Sequence, residues 1–564
     1  MINYTSADFD IKKIGSFYSK NKTIFRVFAP ESLSMNLIIN NNKYEMHKNN
    51  YYFEIALSGD LEGVKYCYEN DKKIVFKDPF AYYSDSNYSY VLDESKFDNR
   101  SVMPKKIKDV VLYEVSVRDF SCDESYCGKY KRKLLAFTEK GLKLNDYYMI
   151  GLDYLKNIGI SHIQLMPILS FDKDKTEYNW GYNPLAYNYI NSDYILDNTN
   201  PYAFINELRN VVNVLHKNNI RITLDVVFNH VYDASKYDLD KMIPGHVFRM
   251  KIDGTYAQGS YCGNEIKSED PFVRAYLVEM CERYIRLFDI DGIRMDLMGL
   301  LDYETVNLIE EKCKKIKSDF IVYGEGWNMG DVLEENKRAS SLNANKMPAI
   351  GFFNDRYRDT IIQYVFGNDS IREDVKKALS GVILNTDYSQ SINYIECHDN
   401  YTFFDRILKY CQNDEYSLNV KKCKLALGLV MISRGIPFIH AGQEFLRTKK
   451  FVENSYNSDE NINKIDWNRR VENNDICDYL KALIEIRKEN AVFLKEDIET
   501  NFEDYYECLV YKVGNLKIII NPSIWDHVYQ DGNKYSVIFD VNGKASYTSD
   551  ILSIPSYSML ICKL

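Results

Sequence analysis

Basic charge is what this 564-residue chain is short of: 71 lysines and arginines face 81 aspartates and glutamates, for a net charge of −10 and a pI near 5.5. Binding to phosphate backbones or anionic lipid calls for the opposite balance, so neither nucleic acid nor membrane is expected as a partner, and a neutral ligand fits. Paired cysteines are missing as well. The chain has twelve cysteines, none in a CxxC pair; the near pair Cys122 and Cys127 has no second pair or clustered histidines to complete a zinc site. They read as reduced, mostly buried thiols. Long apolar runs are absent, Leu425–Ile432 being far shorter than the roughly 20 residues that span a bilayer. Residues Met1–Asp8 offer neither a basic n-region nor an apolar h-region, so a cytoplasmic location is expected. Tyrosine is plentiful, 47 in all, but asparagine, lysine and isoleucine are abundant too; this is the pattern of codon bias and carries no functional weight.

Three kinds of segment follow one another. Residues 1–105 hold short β-rich runs at turn-separated intervals, Thr23–Phe28, Asn36–Ile39, Tyr51–Ile55 and Val64–Tyr68, which predict a small β-sandwich. From Val110 the rhythm becomes strand, loop, helix. Strands are predicted at Val110–Val117, His162–Ile168, Ile222–Phe228, Gly292–Leu297, Phe320–Gly324, Gly351–Asn354, Ile392–Cys397 and Pro437–Ala441, with helices such as Ala203–His216, Pro271–Phe288 and Tyr303–Ile316 between them. Eight such repeats predict an α/β fold of the TIM (β/α)8 barrel type over residues 106–490. An open doubly wound sheet is the alternative, but no glycine-rich phosphate loop follows any strand. Residues 491–564 return to strands alone (Tyr506–Tyr511, Leu516–Ile520, Tyr535–Phe539, Ser556–Cys562) and predict a C-terminal all-β domain.

In such a barrel the chemistry sits at the C-terminal ends of the strands, and here those ends are loaded. The third strand runs into Asp225-Val226-Val227-Phe228-Asn229-His230, the fourth into Arg294-Met295-Asp296, the fifth into Glu325-Gly326-Trp327 and the seventh into Glu396-Cys397-His398-Asp399-Asn400. Arg294 and Asp296 are two apart on a strand and face the same side. A guanidinium there favours the ionised carboxylate, which suits Asp296 to act as nucleophile. Glu325 must instead hold a proton, and neighbouring Asp296 and Asp399, with Trp327 limiting solvent, would raise its pKa. Two carboxyls tuned apart in this way are what a retaining glycosidase needs. Beside them, Tyr178-Asn179-Trp180-Gly181-Tyr182-Asn183-Pro184 packs aromatics and amides into one loop, poor material for a core element and good material for a wall that stacks on sugar rings.

The four strand-end segments, in this order, resemble the signature regions of the α-amylase superfamily of glycoside hydrolases, and the 178–184 loop is similar to that of type I pullulanases. Val111-Leu112-Tyr113-Glu114, the 441–449 and 454–458 segments and Phe25-Arg26-Val27-Phe28-Ala29-Pro30 are similar as well, the last to the carbohydrate-binding module that precedes such barrels. The resemblance implies Asp296 as nucleophile, Glu325 as acid/base and Asp399 as transition-state stabiliser. It implies Arg294, His230 and His398 as orienting or sugar-binding residues, Asp225 as their support, Tyr182 as the stacking aromatic, and Trp327, Trp180 and Asn183 as further substrate contacts. Asn183 stands where many relatives carry aspartate. The implied activity is hydrolysis of α-1,6 branch links in pullulan, branched maltodextrins or limit dextrins. An α-1,4-acting relative, an isoamylase-type debranching enzyme and a catalytically silent glucan-binding barrel stay open. No cofactor is expected; some relatives bind calcium, but no aspartate-rich oxygen cage is readable here, so no metal is expected either. An α-glucan is the expected partner, and a monomer the expected state.

Overall fold

The computed structural model of the chain describes residues 2–99, 109–173, 176–382, 384 and 386–564. The predicted boundary at 105/106 lies outside these residues.

Eight parallel strands close into a barrel: β1 (Leu112–Val115), β2 (His162–Leu165), β3 (Arg221–Val226), β4 (Gly292–Met295), β5 (Ile321–Gly324), β6 (Ile350–Phe353), β7 (Ser391–Asn393) and β8 (Ile436–His440). Closure is through Leu112 opposite Phe438 and Glu114 opposite His440. These are the eight strands expected; β1, β2, β3, β4 and β7 stop before the predicted run does, because the run continues into the loop beyond the strand end, while β6 and β8 keep the predicted length one residue earlier. All but two of their residues are buried, as parallel strands covered on both faces must be. Leu112, Tyr323, Phe353, Ile392, Tyr394 and Phe438 fill the interior.

The helices outside the barrel are set by local signals. α1 (Ala203–Lys217) buries Phe204, Leu208, Val211, Val212 and Leu215 at helical spacing. In α2 (Pro271–Phe288) the Asp270 side chain accepts from the N–H groups of Phe272 and Val273, Pro271 occupies the first turn, and Asp289 ends the helix in the left-handed region. α3 (Tyr303–Ile316) is capped by Asp302.

The N-terminal part forms two antiparallel sheets. One contains Gly15–Ser19, Lys22–Phe28, Tyr52–Ser58 and His47–Asn49; the other is built around Met35–Ile39 and Lys65–Asn70. It leans on α2, where Phe28 stacks on Phe272 (4.8 Å, 10°) and Arg283 donates to the Phe80 carbonyl (2.6 Å). The C-terminal part is a six-stranded sheet with a two-stranded one beside it. Its first predicted strand, Tyr506–Tyr511, is instead the turn and second arm of a hairpin, Thr500–Tyr505 with Cys508–Val513. No glycine, asparagine or proline marks that turn: Tyr506 itself takes the left-handed conformation, φ 53°.

Candidate active site

The C-terminal ends of β3, β4, β5 and β7 bring the predicted polar residues together. Arg294 is the hub, 2 % exposed. Its Nη1 donates to both oxygens of Asp225 (2.8 and 2.9 Å) and to Asp296 Oδ1 (3.2 Å), while Nη2 donates to Glu325 Oε1. One guanidinium thus spaces three carboxyl groups from three strands. Asp225 alone is met at both oxygens, so the expected Arg294–Asp296 pairing is one arm of a fork. Burial raises Asp225 to about 6 against the pull of Arg294; with the Tyr182 hydroxyl also donating to it (2.7 Å), Asp225 accepts three hydrogen bonds and is ionised at neutral pH.

Asp296 is held from a second side. Asn229 Nδ2 donates to Asp296 Oδ2 and to the Asp296 carbonyl, both at 2.8 Å. Asn229 Oδ1 lies 2.7 Å from His230 Nδ1, and His230 Nε2 lies 3.1 Å from the Tyr182 carbonyl. Burial lowers the His230 pKa despite nearby Asp296, which favours the neutral ring, although two carbonyl acceptors would suit a proton at each nitrogen.

Glu325 is 8 % exposed, and its pKa is raised to about 7. Burial is the main cause; Arg294 opposes it, and Asp296 and Asp399 add to it. Sequence reasoning foresaw the two carboxylates and the loss of solvent beside Trp327, but not that desolvation is the larger cause. Glu325 Oε2 accepts the Leu297 N–H (3.0 Å). Leu297 has φ 38° and ψ 47°, a left-handed conformation that a branched side chain adopts at a cost of about 1–3 kcal/mol. That strain sits between Asp296 and its partner carboxyl, and it aims the N–H. The Glu325-Gly326-Trp327 turn fits closely: a Cβ on Gly299 would lie 1.9 Å from the Trp327 carbonyl oxygen. The Trp327 side chain is half-buried against the barrel interior cluster.

Asp399 has 49 % of its side chain exposed, the most open of the three carboxyls. His398 Nε2 lies 3.4 Å from its Oδ2, and Asn400 follows in the left-handed region at φ 62°. The His398 ring stacks on Tyr182 (5.0 Å, 17°) and meets the edge of Trp180 (4.9 Å, 85°). The 178–184 loop therefore walls the same cleft. Trp180 is itself packed with Met166 and Tyr178, with Lys449 Nζ 5.3 Å from its ring centre. Asn183 is buried, and its carbonyl accepts from the Asp172 N–H (2.8 Å); among the described residues no hydrogen bond ties its side chain to the carboxyl cluster.

Sequence reasoning missed two contributors. Lys449 Nζ donates to the His398 carbonyl (2.8 Å), and Glu114 takes both the backbone N–H and the ring Nδ1 of His398 at 2.8 Å. The Glu114 carboxylate at the end of an apolar strand was a readable signal; its partner 284 residues away was not. A separate cavity of about 970 Å3, lined by Lys77, Tyr83, Tyr189, Lys236 and Asp238 among others, lies between the N-terminal sheets and the barrel loops, and none of the three carboxyls lines it.

The α-amylase catalytic-domain family model matches residues 149–242 and 262–481. Pullulanase of Bacillus subtilis is 32% identical over 534 residues, covering 89% of this chain and 74% of that protein. Pullulanase A of Streptococcus pneumoniae is 26% identical over 78% of this chain, which spans 41% of the longer relative. The crystal structure of Anoxybacillus pullulanase complexed with maltotetraose superposes with a TM-score of 0.93 at 29% identity, covering 98% of this chain and 88% of that one. The B. subtilis type I pullulanase complexed with maltose gives the same TM-score and identity over 99% and 86%. With the barrel, the strand-end carboxyls and the aromatic loop all in place, the chain belongs to the α-amylase family of glycoside hydrolases and, within it, to the pullulanases.

Proposed function

We propose that this protein hydrolyses α-1,6 glucosidic links in branched α-glucans with retention of configuration. The observation that carries the chemistry is the Arg294 fork, which holds Asp225, Asp296 and Glu325 in one buried group, with Glu325 raised to about 7; the α-1,6 bond rests on the 178–184 loop and the likeness to pullulanases. Glu325 gives its proton to the glycosidic oxygen as Asp296 attacks the anomeric carbon, and a covalent β-glycosyl enzyme forms. Asp399, open to the cleft, grips the hydroxyls of the flattened ring as positive charge develops. The now ionised Glu325 then takes a proton from water, which displaces Asp296, and the sugar leaves in the α configuration. Tyr182 stacks on the reacting sugar while His230 and His398 hold its hydroxyls; Trp180 and Asn183 shape the loop that carries Tyr182, and Trp327 lines the leaving-group side.

Twelve unpaired cysteines support work in a reducing compartment; cytoplasmic branched dextrins as substrate and a monomer as the working form complete the proposal. Among the described residues no helix is long and apolar enough to cross a membrane. The proton inventory closes on the carboxyls alone, so the proposed reaction includes no metal step. Chromatography of the products from pullulan tests the bond specificity. Maltotriose as sole product is expected; panose or isopanose would move the enzyme to α-1,4 cleavage.

A further inference from the structure

Inside the barrel, beneath the cleft, runs a line of polar side chains that the proposed reaction does not use. Thr223 Oγ1 on β3 lies 3.1 Å from the Tyr323 hydroxyl on β5. That hydroxyl donates to Gln164 Oε1 on β2 (2.7 Å), Gln164 Nε2 donates to Glu114 Oε1 on β1 (3.0 Å), and Glu114 closes on His398 past the end of β7. From the Tyr323 hydroxyl onward the direction of each bond follows along the line. Because Gln164 Oε1 accepts, its amide must donate to Glu114. The His398 backbone N–H can only donate, and it occupies Glu114 Oε2. Glu114, 1 % exposed, therefore faces donors alone and is a carboxylate, and its third donor is the His398 Nδ1–H. On the far side of the ring, Nε2 faces the Asp399 carboxylate, again an acceptor.

We propose that Glu114 is a positioning residue for the glycosidase reaction: it keeps His398 doubly protonated, so that the Nε2–H points past Asp399 as a charged donor for a substrate hydroxyl. The charges around the ring fit that state. Burial opposes the imidazolium and Arg294 on β4 repels it; Glu114 and Asp399 outweigh both, raising His398 to about 9. Lys449, after β8, touches the backbone carbonyl of His398 and is itself lowered to about 8, by burial first and then by Arg447. Cys397, on the same segment, is held well above the usual thiol range by burial and stays neutral, and Tyr182 and Trp180 offer only ring faces and edges to His398. Glu114 in turn lies below the usual carboxylate range, since His398 more than offsets its burial. A neutral His398 with its proton on Nδ1 would present a lone pair at Nε2 and lose the donor.

The inference rests on the glycosidase reading of the cleft, and the test separates the two. In the wild type, kcat/KM on pullulan should fall with unit slope from about pH 7, where Glu325 loses its proton, until His398 titrates near 9. Glu114→Gln keeps the volume but removes the charge; His398 then drops toward or below its ordinary value of about 6.5. The alkaline limb should steepen toward a slope of two, with kcat/KM at pH 7 down about fourfold for a ring that titrates at about 6.5 and further for one that titrates lower. Glu114→Asp, which keeps the charge, should restore the unit slope even if its rate is lower, and it covers the case in which Glu114→Gln does not fold. A Glu114→Gln/His398→Gln double variant should be no slower than His398→Gln alone, because the first residue acts through the second. Independently of activity, 15N-histidine NMR should show His398 doubly protonated through pH 8 in the wild type and titrating at least a unit lower in Glu114→Gln. An unchanged ring titration, or additive losses in the double variant, would overturn the proposal. A wild type that cleaves no α-glucan would instead remove the glycosidase reading and leave the ring titration to decide the role of Glu114.

Discussion

Two carboxyls 29 positions apart are given opposite duties in the proposed reaction, and their surroundings suit each to its part. Asp296 accepts hydrogen bonds from Arg294 and Asn229, whereas Glu325 is held near 7 chiefly by desolvation. The sign of the pH effect follows from the proposed acid role: Glu325 would carry its proton in the first step, so kcat/KM should decline as pH rises through about 7. In Glu325→Gln no proton is available. Turnover of pullulan should fall by about 10²–10⁴-fold, while hydrolysis of an α-maltosyl fluoride, whose leaving group needs no proton, loses far less in the first step. Azide separates the two roles. With Asp296→Ala it should attack from the vacated face and turn an α-fluoride into the β-glycosyl azide; with Glu325→Ala it should intercept the glycosyl enzyme and give the α-azide. The two azides exchanged between the variants would reverse the assignments. Most of this group was legible in the sequence because the residues cluster at strand ends, where a period of two places Arg294 beside Asp296. What lay hidden is long-range: the grip of Arg294 on Asp225, the hold of Glu114 on His398 and the dominance of desolvation at Glu325 arise only once distant strands close into a barrel.

The loop at 178–184 shows how an element places chemistry. Tyr182 reaches Asp225 with its hydroxyl and His398 with its face, and it can do both because Gly181 turns the chain at φ 105°. A Cβ there would lie 2.9 Å from the Pro167 carbonyl oxygen and 3.1 Å from the Phe171 ring, so backbone would have to move. Gly181→Ala should destabilise the protein by about 1–3 kcal/mol. It should also lower kcat/KM on pullulan by an order of magnitude or more, because a wall displaced by an ångström no longer stacks on the sugar. Denaturant unfolding and pullulan kinetics on the same preparation check it; an unshifted midpoint with full activity would mean that the loop yields without strain. Elements were legible to the degree that burial dominates them. The eight barrel strands and α2 could be read off apolar runs and caps. Gly15–Ser19 and His47–Asn49 could not, since their residues are largely exposed and polar, and the Tyr506 turn lacks the residue types that usually announce one.

At the scale of the whole molecule, one connected core runs from Phe25 and Phe28 of the N-terminal sheets through Phe272 and the barrel helices to Leu516 and Ile561 of the C-terminal sheet. The joint between sheets and barrel is aromatic. Phe272 is fully buried, stacks on Phe28 and meets Phe9 at 5.0 Å, and Tyr4 adds a hydrogen bond to Asp270, the residue that caps α2 (3.0 Å). The element that carries this joint leads directly into β4 with Arg294 and Asp296, so the N-terminal sheets brace the strand that holds the nucleophile candidate. Continuity of the core predicts a single cooperative thermal transition for the wild type. Phe272→Ala removes the ring shared by Phe28 and Phe9 and leaves a cavity that costs about 3–5 kcal/mol, a loss concentrated at the joint, where Phe80 against Tyr276 and Tyr83 against Phe204 remain. Differential scanning calorimetry should then resolve two transitions, the N-terminal sheets melting first, with the fall in pullulanase activity on heating following the second. A single, merely shifted transition in Phe272→Ala would show that the aromatic joint is not what couples the two parts, and two transitions in the wild type would show that the continuous core does not make them unfold as one.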